Sequence, residues 1–244
     1  AGVNEYSSMT TCLFWVFNQT VVPWLMTLCV LNEKRVEHYA LLGLLALPFG
    51  PLPFVGLAVM CLGLGAVRLV QSARAGCLPA FWREVFSRQN LLVLAAILPV
   101  FFLYFSANAA TTMQEGRFCF YLSGQENIQT GKELFELVRF YMLECGVYLA
   151  LVWRDYKKAP LFYLTAASLM MYPLFRMGAS GTGDFTMRAS IPALLVLACM
   201  VLGSLVRHCN VFRTGKLWEK VWYLALLGVL CVGAVTPLVE LWHG

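Results

Sequence analysis

Long apolar runs are the feature that most limits what this chain can fold into. Segments 9–31, 91–107, 192–206 and 222–242 approach or reach the roughly 20 apolar residues that cross a bilayer as an α-helix. Charged residues make up only 13% of the chain, whereas soluble domains have about 25%. Long runs, rather than short alternating segments, also exclude a transmembrane β-barrel. The sequence therefore predicts an all-α, polytopic transmembrane helix bundle, a single domain over residues 1–244.

We expect about seven hydrophobic segments, and one of them is unusual. The run from Tyr39 to Val70 is too long for one ordinary span and contains Pro48-Phe-Gly-Pro-Leu-Pro53. Prolines spaced this closely cannot continue a regular helix, because each lacks a backbone N–H and clashes with the preceding turn. We therefore predict a re-entrant or hairpin segment near residues 40–70: a short arm, a turn at the prolines, and then a full span. The remaining segments are 9–31, 91–107, 133–153, 161–177, 192–206 and 222–242.

The distribution of lysine and arginine predicts the orientation. Loops 32–39, 71–90, 154–160 and 207–221 hold thirteen of the 18 basic residues, counting one arginine at the edge of the second loop. Cytoplasmic loops carry such an excess, so we place these four loops in the cytoplasm and the chain in the plasma (inner) membrane. If residues 39–70 crossed the membrane once, the first two loops would lie on opposite sides and the bias would disappear. The charge pattern thus favours the hairpin independently of the prolines.

This orientation also assigns the remaining polar segments to one side of the membrane. Residues 71–90 become a cytoplasmic, interfacial segment, because the stretch Pro79–Phe86 within it is amphipathic, as helices that lie on a membrane surface are. Residues 108–132 and 178–191 become exterior loops. The chain starts without Met, and its last residues follow directly on an apolar run. We expect it to be a piece of a longer protein.

Composition narrows the classes of partner. The net charge of +5 reports orientation in a membrane protein, so we expect membrane lipids and no nucleic acid as partners. The nine cysteines contain no CxxC pair, and this odd, scattered set argues against disulfides and zinc. The three histidines are isolated in the sequence. We predict no metal site and no cofactor.

Charged residues within segment 133–153 are candidates for function, because ionisable side chains inside a membrane are costly. Glu133, Glu136, Arg139 and Glu144 fall on one helical face of about 140° at 100° per residue. Such a face is expected to point into the bundle or a wet cavity. The alternative is that Glu136 and Arg139 form only an internal ion pair at i, i+3.

The polar loop 178–191 carries Asp184 and Arg188 between two apolar segments. On the predicted topology these two residues share the exterior side with Arg117, Glu136, Arg139 and Arg176. Arginines bind phosphate through two parallel N–H donors, so this set predicts a site for a lipid-linked phosphate. The alternative is that Asp184 and Arg188, at i, i+4, form only an ion pair at the start of a helix. No catalytic residue can be assigned.

The segment Asp184-Phe-Thr-Met-Arg-Ala-Ser-Ile-Pro-Ala-Leu-Leu-Val-Leu197 resembles a motif, Asp-Phe-x-Met-Arg-x-Ser-Ile-Pro-x-Leu, in the C-terminal half of large bacterial multi-spanning, glycosyltransferase-like membrane proteins. Glu133-Leu-Phe-Glu-Leu and the proline-rich stretch 48–53 are also similar to that group. Members usually carry Asn before the Asp, where this chain has Gly183, so a role for that amide is not expected here.

The resemblance implies a GT-C-type glycosyltransferase that uses a polyprenyl-phosphate-linked sugar on the exterior face. In that superfamily the catalytic acidic residue usually lies in the first exterior loop, which would precede this chain. A transporter or flippase for a lipid-linked or small polar substrate is the alternative, because transporters also use broken helices at membrane depth. A scaffold subunit, whose charges only pair internally, is a third hypothesis.

Overall fold

The computed structural model describes residues 6–112, 118–120, 130–177 and 184–243. Over these ranges the protein is mostly helical, and the only sheet is one pair of three-residue antiparallel strands. Within them, four helical stretches, each one helix or two successive helices, are long and apolar enough to cross a membrane: Pro51–Arg74, Leu78–Tyr104, Ile191–Arg213 and Leu217–Val239. The prediction of a helical, polytopic membrane protein is therefore confirmed, and the count of about seven segments stays a prediction.

The first half of the chain is helical throughout residues 9–112, apart from short connections. Its helices are α1 (Met9–Trp15), α2 (Phe17–Asn32), α3 (Tyr39–Leu45), α4 (Pro51–Arg74), α5 (Leu78–Val85) and α6 (Arg88–Thr112), with a 3₁₀ turn at Val36–His38.

The second half has more irregular backbone between its helices. Its elements are β1 (Phe118–Phe120), α7 (Thr130–Tyr141), a π-helical turn (Met142–Gly146), α8 (Val147–Tyr156), α9 (Pro160–Met171), a 3₁₀ turn (Tyr172–Leu174), β2 (Phe175–Met177), α10 (Asp184–Ala189), α11 (Ile191–Arg207), α12 (Val211–Thr214), α13 (Leu217–Gly233) and α14 (Val235–His243).

Three boundaries differ from those expected. The predicted loop 108–132 is shortened at both ends, because α6 continues to Thr112 and α7 begins at Thr130. The segment expected to run to residue 177 leaves the α-helix after Met171, where Pro173 lacks the N–H that a continuing helix needs. Residues 184–189 of the predicted loop 178–191 form a helix.

Helix α11 is the centre of the bundle. Ile191, Ala193, Val196 and Met200 on it are buried, and it packs against α2, α4, α8 and α9. Helix α4 lies beside it and is also largely apolar. At 1.5 Å per residue α4 is about 36 Å long, enough to cross a hydrocarbon core of about 30 Å.

The chain breaks between α3 and α4 at the predicted proline cluster. Helix α4 begins at Pro51 with Pro53 still in its first turn, where the missing N–H groups would be unpaired in any helix. The carbonyl of Tyr39 lies 4.0 Å from the Sγ of Cys61, so the two arms of this turn run side by side. The helical part of the first arm, α3, has only seven residues and is about 10 Å long.

Asn90, in the first turn of α6, forms hydrogen bonds to the start of the helical hairpin that α3 and α4 make. Its side chain is 3% exposed; the amide donates to the carbonyls of Val36 at 3.2 Å and Val85 at 3.1 Å, and its Oδ1 accepts from the N–H of Ala40 at 3.2 Å. Glu84 adds an ion pair of 3.2 Å with the Nε of Arg35. Loops 32–39 and 71–90 are therefore in direct contact.

The short connection before the hairpin is also ordered by a carboxylate. Glu33 accepts hydrogen bonds from the N–H groups of Lys34 at 2.9 Å and Arg35 at 3.1 Å, and its other oxygen lies 3.0 Å from the Nδ1 of His38. The Arg35 N–H, followed by the His38 side chain, holds the pKa of Glu33 below its usual value, because both stabilise the ionised carboxylate.

We predict that Asn90→Ala lowers the free energy of unfolding by about 1–3 kcal/mol, because it leaves buried backbone groups without partners. Gln89→Ala is the control, since Gln89 is the exposed neighbour on the same helix. The measurement is thermal unfolding of the purified protein in detergent micelles. Equal unfolding temperatures for the two variants would show that the hydrogen bonds of Asn90 do not stabilise the hairpin.

A polar cluster at the tip of the hairpin

Helix α10 has one buried face and one polar face. Phe185, Thr186 and Ala189 are buried, and the ring of Phe185 meets that of Tyr172 edge-on at 6.2 Å between centroids. Asp184 and Arg188 are separated by one turn and project from the other side of the helix. The packing of the apolar face therefore determines where the two charged side chains lie.

Arg188 is held by two different elements. Its Nη1 donates to the Oε1 of Gln19 at 3.1 Å, and its Nη2 lies 3.4 Å from the Oδ2 of Asp184. The Arg188 side chain is only 27% exposed. Its Nε is buried and has no hydrogen-bond partner among the residues that the structure describes. The guanidinium is thus held by α2 and α10, and within the described part of the chain at least one of its donors has no partner.

Gln19 connects this arginine to the hairpin. It lies in the first turn of α2, and a β-carbon added at Gly50 would be 3.2 Å from its Cγ. Gly50 is the residue immediately before α4. The polar cluster formed by Gln19, Asp184 and Arg188 therefore sits against the tip of the broken helix pair.

A close backbone contact positions α10 against α4. A β-carbon at Gly56 would collide with the carbonyl oxygen of Ala189 and lie 3.2 Å from the Cδ of Pro192. The hydroxyl of Tyr172 donates to the carbonyl of Gly56 at 3.4 Å, and that of Thr186 donates to the carbonyl of Tyr172 at 3.4 Å. Only glycine at position 56 permits this approach.

We predict that Gly56→Ala lowers the free energy of unfolding by about 1–3 kcal/mol, the usual cost of overpacking a tight contact. The matched control on the same helix is Gly65→Ala, because nothing lies within 4 Å of a β-carbon there. We expect the control to be unchanged or stabilised by up to about 1 kcal/mol, since alanine favours a helix over glycine. Thermal unfolding in detergent distinguishes the two, and a Gly56→Ala protein as stable as the control contradicts the contact.

The second predicted charged pair forms separately. Glu136 and Arg139 make an i, i+3 ion pair of 3.0 Å on α7, with both side chains more than half exposed. Among the described residues, no hydrogen bond or ion pair joins this pair to Asp184 or Arg188. Glu144 is exposed and lies within the π-helical turn. The structure therefore contains the i, i+3 ion pair, and a cavity shared with Asp184 and Arg188 stays a prediction.

The remaining predicted residues are described only in part or not at all. The backbone of Arg176 belongs to β2 and pairs with Cys119 of β1; its side chain lies outside what the structure describes. Arg117 and the side chain of Glu133 also lie outside the described residues. The gathering of Arg117, Arg139 and Arg176 around Arg188 therefore stays a prediction.

The opposite end of the bundle carries a second network, which sequence reasoning missed. Arg154 pairs with Glu219 at 2.9 Å and its guanidinium lies 4.3 Å from the ring centroid of Trp218. Asp155 pairs with the Nε2 of His208 at 3.1 Å. These partners are far apart in the sequence, so helical spacing gives no signal for them. Arg188 lies just before α11 and His208 just after it, so the 17 residues of α11, about 26 Å of helix, separate the two networks.

The cluster around Arg188 can bind an anion but is poorly suited to acid–base chemistry. Its one carboxylate, Asp184, already pairs with Arg188. Among the described residues, no group of three or more His, Cys, Asp or Glu side chains could hold a metal ion. A fixed guanidinium with an unused donor suits a phosphate or carboxylate, because charge-assisted hydrogen bonds to oxyanions are the strongest that arginine makes.

Comparison with known proteins gives no assignment. No family model matches this chain, no curated protein matches it, and no solved structure matches it. The observations that bear on function are therefore the geometry of the polar cluster and the motif at 184–197.

Proposed function

We propose that this chain is the membrane-embedded half of a GT-C-like glycosyltransferase. It would transfer a sugar from a polyprenyl-phosphate-linked donor to an acceptor on the exterior face of the plasma (inner) membrane. The observation that carries the proposal is Arg188, whose guanidinium is oriented by Gln19 and Asp184 while its side chain stays 27% exposed. Two of its five N–H donors contact these two partners among the described residues. The resemblance of residues 184–197 to glycosyltransferase-like membrane proteins supports the same reaction.

In this proposal Arg188 binds the phosphate of the donor. During transfer, the acceptor hydroxyl bonds to the anomeric carbon of the sugar, and the bond from that carbon to the phosphate oxygen breaks. The leaving polyprenyl phosphate gains negative charge as this bond breaks. A preorganised guanidinium stabilises that developing charge more than it stabilises the donor. The proton of the acceptor hydroxyl goes to an acidic residue that the resemblance assigns to an earlier exterior loop.

Asp184 and Gln19 are positioning residues in this scheme. Asp184 holds one terminal nitrogen of Arg188 and Gln19 holds the other, which leaves the guanidinium little rotational freedom. Fixing a donor before the substrate arrives reduces the entropy lost on binding. We assign the same phosphate-binding role to Arg117, Arg139 and Arg176, with Glu136 orienting Arg139, as further members of the exterior set.

The proposed topology places this site on the exterior side. It has about seven hydrophobic segments, a re-entrant hairpin near residues 40–70, and loops 32–39, 71–90, 154–160 and 207–221 in the cytoplasm. Two observations support it. The first two of these loops are joined by Asn90 and Glu84, and the 17 residues of α11, about 26 Å of helix, separate Arg188 from loop 207–221.

We predict that Arg188→Gln weakens binding of a polyprenyl monophosphate by about 10–100-fold, corresponding to the roughly 1.5–3 kcal/mol of a charged hydrogen bond. Arg188→Lys keeps the charge but loses the fixed planar geometry, so we expect an intermediate loss. Arg176→Gln tests the second arginine. The measurement is microscale thermophoresis of the detergent-purified protein with the lipid.

Arg213→Gln is the control for these binding measurements, because Arg213 is exposed on α12, which follows the opposite end of α11. Its affinity for the lipid should equal that of the unchanged protein. If Arg188→Gln and Arg176→Gln also bind the lipid with unchanged affinity, the phosphate-binding role is wrong.

A transporter or flippase is the second candidate, and the broken α3–α4 hairpin favours it. Discontinuous helices of this type form substrate sites in membrane transporters. The two functions differ in one observable, whether a covalent bond changes. Flux of a lipid-linked sugar across proteoliposomes without any glycosylated product would favour the transporter, and a glycosylated product would favour the transferase.

A further inference from the structure

Helix α4 has a second face that the polar cluster does not use. Pro53, Gly56 and Met60 on one side are buried, and Gly56 meets Ala189 near the cluster. The other side, from Phe54 through Ala58 and Cys61 to Leu69, lines a cavity of about 560 Å³. The cavity and the polar cluster therefore lie on different sides of α4.

The cavity is an apolar groove formed by four elements. It is enclosed by α3, α4, α5 and α6, and its walls include Leu44, Phe54, Leu62, Leu69, Phe81 and Leu98. Asn90 also lines it, but this amide is occupied by Val36, Val85 and Ala40. A ligand in the groove would therefore meet hydrocarbon and almost no free polar group.

The dimensions suit a lipid chain. The stretch of α4 from Phe54 to Leu69 is about 22 Å long, and one leaflet of hydrocarbon is about 15 Å thick. A volume of 560 Å³ lies within the roughly 300–1,000 Å³ of known ligand pockets. Gly65 leaves space in the wall, because nothing lies within 4 Å of a β-carbon there.

One end of the groove lies at the level of the basic segment. Trp82 lines that end, is 48% exposed and stacks on Phe86 at 5.9 Å, an arrangement typical of the membrane interface. Arg68 interacts with the hydroxyl of Tyr39 in the groove wall. Arg68, Arg83 and Arg88 make no ion pair with any carboxylate of the described residues.

We propose that this groove holds one acyl chain of an anionic phospholipid, with the lipid phosphate next to Arg68, Arg83 and Arg88. The apolar walls take the chain by hydrophobic burial of its methylenes, and the arginines select a negatively charged headgroup. This site is independent of the proposed transferase reaction. It is a structural lipid site that fills the space between the hairpin and α6.

The test uses native mass spectrometry of the full chain in detergent, with added phosphatidylglycerol and phosphatidylcholine of identical acyl chains. Gly65→Leu fills the groove, and we expect it to weaken phosphatidylglycerol binding at least 10-fold. Gly228→Leu is the matched control, because nothing lies within 4 Å of a β-carbon there and Gly228 is exposed on α13. Ala66→Leu is a second groove-filling variant for use if Gly65→Leu does not fold.

The preference for an anionic headgroup is tested with a separate double variant. Arg68→Gln combined with Arg83→Gln should reduce the preference for phosphatidylglycerol over phosphatidylcholine while leaving phosphatidylcholine binding unchanged. Equal lipid binding by Gly65→Leu, Ala66→Leu and Gly228→Leu would overturn the proposal. So would a lipid-free dimer that Gly65→Leu abolishes, because the occupant would then be a second copy of the chain.

Discussion

The close contact between Gly56 of α4 and Ala189 at the end of α10 is the constraint on which this end of the molecule depends. Because no side chain separates the two backbones, α10 lies directly on α4 and its polar face is turned toward α2. Tyr172 reinforces the contact by donating to the carbonyl of Gly56. Without this approach, Arg188 would not reach Gln19, and the polar cluster at the hairpin tip would not form.

Irregular backbone is costly in an apolar environment, because each unpaired N–H or C=O loses its hydrogen bond to water. In the hairpin, a few residues keep the number of unpaired backbone groups low. Prolines start α4, where N–H groups would be unpaired in any case, and the buried amide of Asn90 supplies partners for Val36, Ala40 and Val85. An irregular segment stabilised in this way can place its tip, at Gly50, against the polar side chain of Gln19.

Local features of the fold could be read from the sequence, and contacts between distant segments could not. The proline cluster at 48–53 correctly predicted the break between α3 and α4, and the i, i+4 spacing predicted the pairing of Asp184 with Arg188. The contact of Arg188 with Gln19 joins residues 169 positions apart, so no periodicity reveals it. It depends on Gly56, whose role is visible only once the helices are packed. The ion pair of Arg154 with Glu219 was missed for the same reason.

The central claim is that the Arg188 guanidinium binds the phosphate of a lipid-linked substrate. The most direct measurement is a solid-state NMR distance between the phosphorus of a polyprenyl monophosphate and ¹⁵N-labelled arginine side chains in bilayers. The account predicts a nitrogen–phosphorus distance of about 4 Å, as expected for a charge-assisted hydrogen bond, and loss of this signal in Arg188→Gln. A short distance that persists in Arg188→Gln, or no short distance in the unchanged protein, would contradict the claim.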